Sequence, residues 1–186
     1  MKVVAIGAST GGPQALQTIL TQLPANFPLP GICVQHISEG FLEGLVNWLD
    51  SQCPIGVKIA SSGELLQPGI FYFPPERHHL EVNSSGRCVC LAEPPVGGHR
   101  PSISVTLNSV ARQYGSKAAG VLLTGMGRDG ADGMLAIAKA GGLTIAQNEA
   151  TSVVFGMPKE AIALGGAQHI LPINAIAPLL ISKLRE

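Results

Sequence analysis

The sequence predicts an α/β chain whose strands run mostly parallel, with one small β-hairpin set apart from them. Three observations carry that prediction. Short apolar runs alternate with segments of helical spacing, the pattern of strand–helix–strand units. Several of those runs are apolar throughout, as strands buried on both faces require. One further segment, H-L-E-V-N-S-S-G-R-C-V-C-L, reads as two strands turning at Asn83–Gly86.

Taken in order, K-V-V-A-I-G is a first strand. Pro13 stands where the first turn of a helix tolerates proline, and Q-A-L-Q-T-I-L-T-Q-L continues with helical spacing. L-P-A-N-F-P-L-P is a loop, and G-I-C-V-Q-H a second strand. In G-F-L-E-G-L-V-N-W-L-D, the residues Phe41, Leu42, Leu45, Val46 and Leu49 fall on one helical face. V-K-I-A and I-F-Y-F are short strands, followed by the hairpin and the loop E-P-P-V-G-G-H-R-P. Ser102 is placed to cap a helix running to about Tyr114. A-A-G-V-L-L-T-G-M-G-R-D-G is a strand ending in a glycine-rich turn. D-G-M-L-A-I-A-K-A is a helix closed by Gly141 and Gly142. L-T-I-A is a strand, and P-K-E-A-I-A-L and A-I-A-P-L-L-I-S-K-L are helices. With no long repeat and no linker, residues 1–186 are expected to form one domain.

Composition narrows the function classes. Hydrophobic residues make up 46% and charged residues 13%, with a formal net charge of zero. No basic run exists, so the electrostatic footprint of a nucleic-acid binder is missing. The apolar runs fall far short of the roughly 20 residues a membrane span needs. The start of the chain lacks the features of a secretory signal. Cys33, Cys53, Cys88 and Cys90 match no CxxC pattern. Cys88 and Cys90 sit in a strand-like segment and are expected to pack as small apolar residues. These features together suggest a reduced, cytoplasmic setting.

The first glycine turn, G-A-S-T-G-G at residues 7–12, could hold a phosphate or a nucleophile. A phosphate-binding P-loop needs Lys and Ser/Thr after its last glycine, where Pro13 and Gln14 stand. A dinucleotide turn needs a middle glycine, where Ser9 stands, and an acid about 20 residues on, where none occurs. The G-x-S-x-G pattern is met by Gly7, Ser9 and Gly11, and it places an exposed hydroxyl at a strand-to-helix turn. The plainer alternative is that Ser9 or Thr10 only caps the helix.

A serine nucleophile needs a base, and the base an orienting acid. Ligands collect beyond the carboxyl ends of parallel strands. His36 closes a strand there. His78 and His79 begin a hairpin strand, His99 lies in a flexible-looking loop, and His169 begins a late segment. Asp129 follows V-L-L-T-G-M-G-R at another strand end. Its alternative role is to cap the helix near Ala131, and Asp132 competes for either job. Asp50, at a helix end, is a poorer candidate. The order Ser9, His36, Asp129 differs from that of the α/β-hydrolases, but a triad is recognised by geometry.

With these positions assembled, the chain resembles the catalytic domain of the chemotaxis protein-glutamate methylesterases, the CheB family. The stretches that match are I-G-A-S-T-G-G-P, V-Q-H-I-S-E-G-F, H-R-P-S and V-L-L-T-G-M-G-R-D-G-A-D-G-M. A longer one is A-G-G-L-T-I-A-Q-N-E-A-T-S-V-V-F-G-M-P-K-E-A-I. Together they span nearly the whole chain. The resemblance implies a doubly wound, mostly parallel sheet with helices on both faces. It implies a serine hydrolase that demethylates glutamyl γ-methyl esters on chemoreceptor cytoplasmic helices, releases methanol and can deamidate certain glutamines. Ser9 would be the nucleophile, His36 the base and Asp129 the orienting acid. The backbone N–H of Met126 would contact the oxyanion, Thr10 would assist, and neither metal nor cofactor would be needed. Family members usually carry a receiver domain before the catalytic domain; this chain begins with the catalytic strand, as in a stand-alone form or one cut from a longer protein. Arg100 and Arg128 lie in the matching loops and could steer an acidic helix. Two competing readings are a non-catalytic signalling module that keeps the fold, and an esterase for small metabolites.

Overall fold

The computed structural model describes residues 1–186. Seven parallel strands form one sheet, in the order β3-β4-β2-β1-β7-β8-β9. They are β1 (Val3–Ala8), β2 (Gly31–Gln35), β3 (Gly56–Ile59), β4 (Ile70–Phe73), β7 (Ala118–Leu122), β8 (Leu143–Gln147) and β9 (His169–Leu171). β5 (His79–Val82) and β6 (Cys88–Leu91) pair antiparallel as the expected hairpin.

β1, β2 and β7 are buried at every residue, because helices cover both faces. α1 (Gly12–Leu20), α2 (Leu42–Gln52) and α6 (Ile173–Ser182) pack on one side through Leu16, Ile19, Leu45, Leu49, Ile176 and Leu180. α3 (Ile103–Tyr114), α4 (Ala131–Lys139) and α5 (Met157–Ala163) pack with the hairpin on the other, around Ile103, Leu107, Met134 and Ile137. The prediction of a mostly parallel, doubly wound sheet with helices on both faces and a small hairpin therefore holds.

Strand order reverses at β1. The chain moves outward from it to β2 on one side and, later, to β7 on the other. The crevice beyond the carboxyl ends of such strands is where open α/β sheets place ligands.

Some details differ from expectation. Phe41 does not share the buried face of α2. It precedes the helix as its N-cap residue and is 65% exposed, while the buried face begins at Leu42. β9 was not foreseen as a strand; at three residues, with Ile170 exposed on an edge, it has too short an apolar pattern to read. Pro178 lies inside α6, whose buried residues Ile176, Ala177 and Leu180 keep it docked. All four cysteines are unpaired, and Cys33 and Cys88 are buried among apolar side chains.

Candidate active site

Pairing of β1 with β2 aligns Ala8 with Gln35. Ser9 and His36, each the next residue, therefore leave the sheet side by side. The His36 N–H still donates to the Ala8 carbonyl at 3.0 Å. Asp129 arrives in the loop after β7. His36 Nε2 donates to Asp129 Oδ2 at 2.7 Å, and the two side chains are only 12% and 7% exposed.

The serine turn is built tightly. A Cβ on Gly7 would lie 2.3 Å from Ile103 Cγ2, so α3 approaches the strand end only because glycine is there. Gly11 takes a left-handed φ of 80°, which glycine adopts without steric cost as the chain turns into α1. Ser9 between them is half-buried. Its N–H donates to the Thr124 carbonyl at 3.0 Å. Gln35 Nε2 donates to the carbonyls of Ser9 at 2.8 Å and His36 at 2.9 Å, clamping both turns. Thr124 Oγ1 donates to the Thr10 carbonyl and accepts from the Val154 N–H, each at 2.9 Å. The Thr124 N–H in turn donates to Gln147 Oε1 at 2.8 Å.

Asp129 accepts four hydrogen bonds. Besides His36, they come from Ser102 Oγ at 3.1 Å, the Ile103 N–H at 2.8 Å and the Ser104 N–H at 3.1 Å. Asp129 is thus an acid at a helix N-terminus, but the helix is α3. α4, the helix it was expected to cap as an alternative, has Gly130 as its N-cap residue and no side-chain cap. Burial works to raise the Asp129 carboxyl. The His36 bond and the Ile103 and Ser104 N–H groups outweigh it and hold the carboxyl below its ordinary value. A carboxylate only accepts, so the His36 proton resides on Nε2 and the Nδ1 lone pair is free. Nδ1 is buried and has no hydrogen-bond partner, so Ser9 Oγ is not bonded to it in this conformation. Catalytic hydrogen bonds are often long in unliganded sites and tighten with substrate. The N–H groups of Thr10, which follows Ser9, and of Met126, which follows the Gly125 packed against Ser9, have no acceptor within the chain.

The other candidates lie elsewhere or do other work. Asp132 is exposed and pairs with Arg128. Asp50 accepts from the Val57 N–H and joins α2 to β3. His78 is held by the Glu76 carbonyl at the surface, and His169 lies on the far edge strand. His99, in the loop that read as flexible, lies flat on His36, with ring centroids 3.9 Å apart and 2° between planes. Gln35, Thr124 and Ser102 carry no sequence signal as builders of the site, and Gln147, placed by its strand end at the border of the cleft, carries none for the bond it makes to Thr124. The partners of Gln35, Thr124, Ser102 and Gln147 are 26, 114, 27 and 23 residues away in the chain, and no local pattern announces such contacts. His36, His99 and Asp129 bring three donor atoms within 4.8 Å of one another. However, two parallel rings aim their lone pairs side by side rather than at one point, a poor fit to a shared metal ion.

Sequence comparison decides the family. The CheB methylesterase family model matches residues 4–180. The chain belongs to the CheB methylesterase family. It is 48% identical over 180 residues to a Cupriavidus metallidurans protein named protein-glutamate methylesterase/protein-glutamine glutaminase 2, which covers 97% of this chain and 53% of that one. A Nitrosospira multiformis relative named protein-glutamate methylesterase/protein-glutamine glutaminase is 46% identical over 185 residues, 100% of this chain and 52% of its own. The chain spans about half the length of the curated relatives it matches. Among solved structures, the Thermotoga maritima CheB methylesterase catalytic domain superposes with a TM-score of 0.94 at 41% identity, covering 97% of both chains. As a CheB family fold, the sheet described above agrees with that catalytic domain over nearly its full length.

Proposed function

We propose that this chain hydrolyses glutamyl γ-methyl esters on chemoreceptor cytoplasmic helices, working in the cytoplasm, with Ser9 as nucleophile. The observation that carries the reading is the 2.7 Å His36–Asp129 contact at the strand edge where Ser9 emerges beside His36. The names of the relatives support the reaction class.

His36 Nδ1, the free nitrogen, takes the Ser9 proton as Oγ attacks the ester carbonyl. The imidazole is thus used with Nε2 toward the acid and Nδ1 toward the serine. Asp129 holds that tautomer and stabilises the imidazolium. Its four donors keep it ionised without drawing on a proton. The oxyanion is received by the Met126 N–H and, as in other strand-to-helix nucleophile turns, by the N–H of the following residue, Thr10. A single such donor is worth about 3–4 kcal/mol. Methanol leaves with the proton from His36, and water resolves the acyl-enzyme. The same machinery acting on a side-chain amide would release ammonia and deamidate glutamine. No step calls for a metal or cofactor.

The rim favours a macromolecular ester over a small one. Ile37, Phe41, Val96, Met126 and Val153 are exposed apolar side chains on the loops after β2, β6, β7 and β8, at the same edge as Ser9. Apolar side chains exposed on the loops around a site suit the docking of a protein better than that of a small ester. No helix of the chain is long and apolar enough to cross a membrane.

The test is methanol release from methyl-esterified chemoreceptor cytoplasmic fragments by wild type and Ser9→Ala. Release by wild type alone supports the reading. Equal release by both proteins would refute Ser9 as nucleophile.

A further inference from the structure

The loop between β6 and α3 is built as an arm. At its tip, Val96 and His99 exchange N–H···O bonds at 2.9 and 3.0 Å across Gly97 and Gly98. Both glycines have positive φ, 59° and 83°, as a two-residue hairpin turn requires. At its base stands His79, 1% exposed. Its Nε2–H donates to the Pro94 carbonyl at 2.9 Å, and its Nδ1 accepts from the Ser102 N–H at 3.0 Å. One buried imidazole thus clips both ends of the arm together. Arg100 Nη1 adds a bond to the Glu93 carbonyl at 3.2 Å. The arm meets the candidate triad twice: Ser102 Oγ at its base donates to Asp129, and nearer its tip the face of His99 lies on the face of His36.

We propose that His99 is a positioning residue: the clipped arm presses its ring against His36 and fixes the plane of the base. The inference rests on the reading of His36 as base for Ser9. A single hydrogen bond to Asp129 restrains one edge of the His36 ring and leaves rotation about that edge. Swinging about it would carry Nδ1 away from Ser9 Oγ. A flat neighbour at 3.9 Å opposes that swing. The stack also suits the charge that develops. When His36 becomes imidazolium, a neutral ring on its face is favourable and a second cation is not. Burial, and then the neighbouring His36, push His99 below its ordinary value, against the opposing pull of Asp129. The other charged groups by the arm are the exposed Arg128–Asp132 pair, Glu93 in the arm itself, and Arg100 at its base, within electrostatic reach of Glu39.

The test uses a fluorophosphonate, in which Ser9 Oγ bonds to phosphorus and fluoride leaves. Labelling rates are compared for wild type, Ser9→Ala, His99→Ala and His99→Phe, with thermal melting as the fold control. The downfield ring proton of the His36–Asp129 bond is followed by NMR. His99→Ala is expected to label about five- to ten-fold more slowly, the scale of a lost aromatic contact, and to lose the sharp downfield proton. His99→Phe, which keeps a flat face but no ring nitrogen, is expected to recover most of both. Wild-type labelling and an intact downfield signal in His99→Ala would overturn the proposal. So would a His99→Phe protein as slow as His99→Ala, since face contact would then not be what matters. If wild type labels no faster than Ser9→Ala, it is the assignment of Ser9 and His36 that fails.

Discussion

Asp129→Asn is the substitution that probes the site most sharply, because Asp129 is used on every side. Its carboxylate accepts from His36 Nε2, Ser102 Oγ and two α3 backbone N–H groups. Asparagine has the same shape but one oxygen becomes a donor. If the new NH2 faces His36, it donates to Nε2 and drives the ring proton to Nδ1, the nitrogen that takes the Ser9 proton in the proposed reaction. The Ile103 N–H, which shares the same oxygen at 2.8 Å, is then opposed by a donor as well. The equivalent change in a protease triad costs about 10⁴ in kcat through the wrong tautomer, which is about 5 kcal/mol of barrier. Stability should suffer less: one buried N–H left without an acceptor costs about 1–3 kcal/mol. The expected result is a folded protein with kcat lowered by about three to four orders of magnitude and KM little changed. Methanol release under single-turnover conditions measures the first, and urea unfolding the second. A rate within ten-fold of wild type, in a folded protein, would show that Asp129 serves only to bind the end of α3.

Other expectations follow from the same contacts. Gln35→Leu removes the clamp on the Ser9 and His36 carbonyls and should cost about 1–3 kcal/mol in urea unfolding, with kcat falling more than KM. Thr124→Val, nearly isosteric, breaks the bonds to the Thr10 carbonyl and the Val154 N–H; a similar destabilisation, and slower fluorophosphonate labelling of Ser9, are expected. Ser9→Ala should abolish turnover while unfolding within about 0.5 kcal/mol of wild type. Because the Asp129 carboxyl lies below its ordinary value in the fold, its contribution to stability is complete above the unfolded value near 4 and is lost as pH falls through the lower folded value. Stability measured from pH 5 down to pH 2 should therefore drop more steeply for wild type than for Asp129→Asn. Parallel curves would show that Asp129 is not held ionised by the fold.

Much of the site was legible because it rests on local features. A serine between two glycines after an apolar run, a histidine closing the next strand and an aspartate in a glycine turn after another are each visible within a few residues. Asp129 could not be separated locally from a cap on α4. Only the placement of α3 over the end of β1, permitted by the bare Cα of Gly7, gives the aspartate its donors. His99 illustrates the opposite case. Flanked by glycines and prolines, it reads as mobile, yet its loop is clipped by a histidine 20 residues earlier in the chain. Phe41 shows why periodicity alone misleads at helix ends: it has the spacing of the buried face but is the residue before the helix begins, and it is exposed.

The sequence by itself determined the architecture and the places where chemistry could sit, because hydrophobic periodicity and glycine turns act over short stretches of chain. It determined that β1, β2 and β7 are buried strands whose carboxyl ends carry Ser9, His36 and the Asp129 loop. Only the tertiary structure decided how those ends are held. The Gln35 clamp, the Thr124–Gln147 chain, the fourfold binding of Asp129 and the His99 stack all join residues remote in sequence. Such contacts arise when strand order and helix packing bring separate edges together, and no local spacing encodes them.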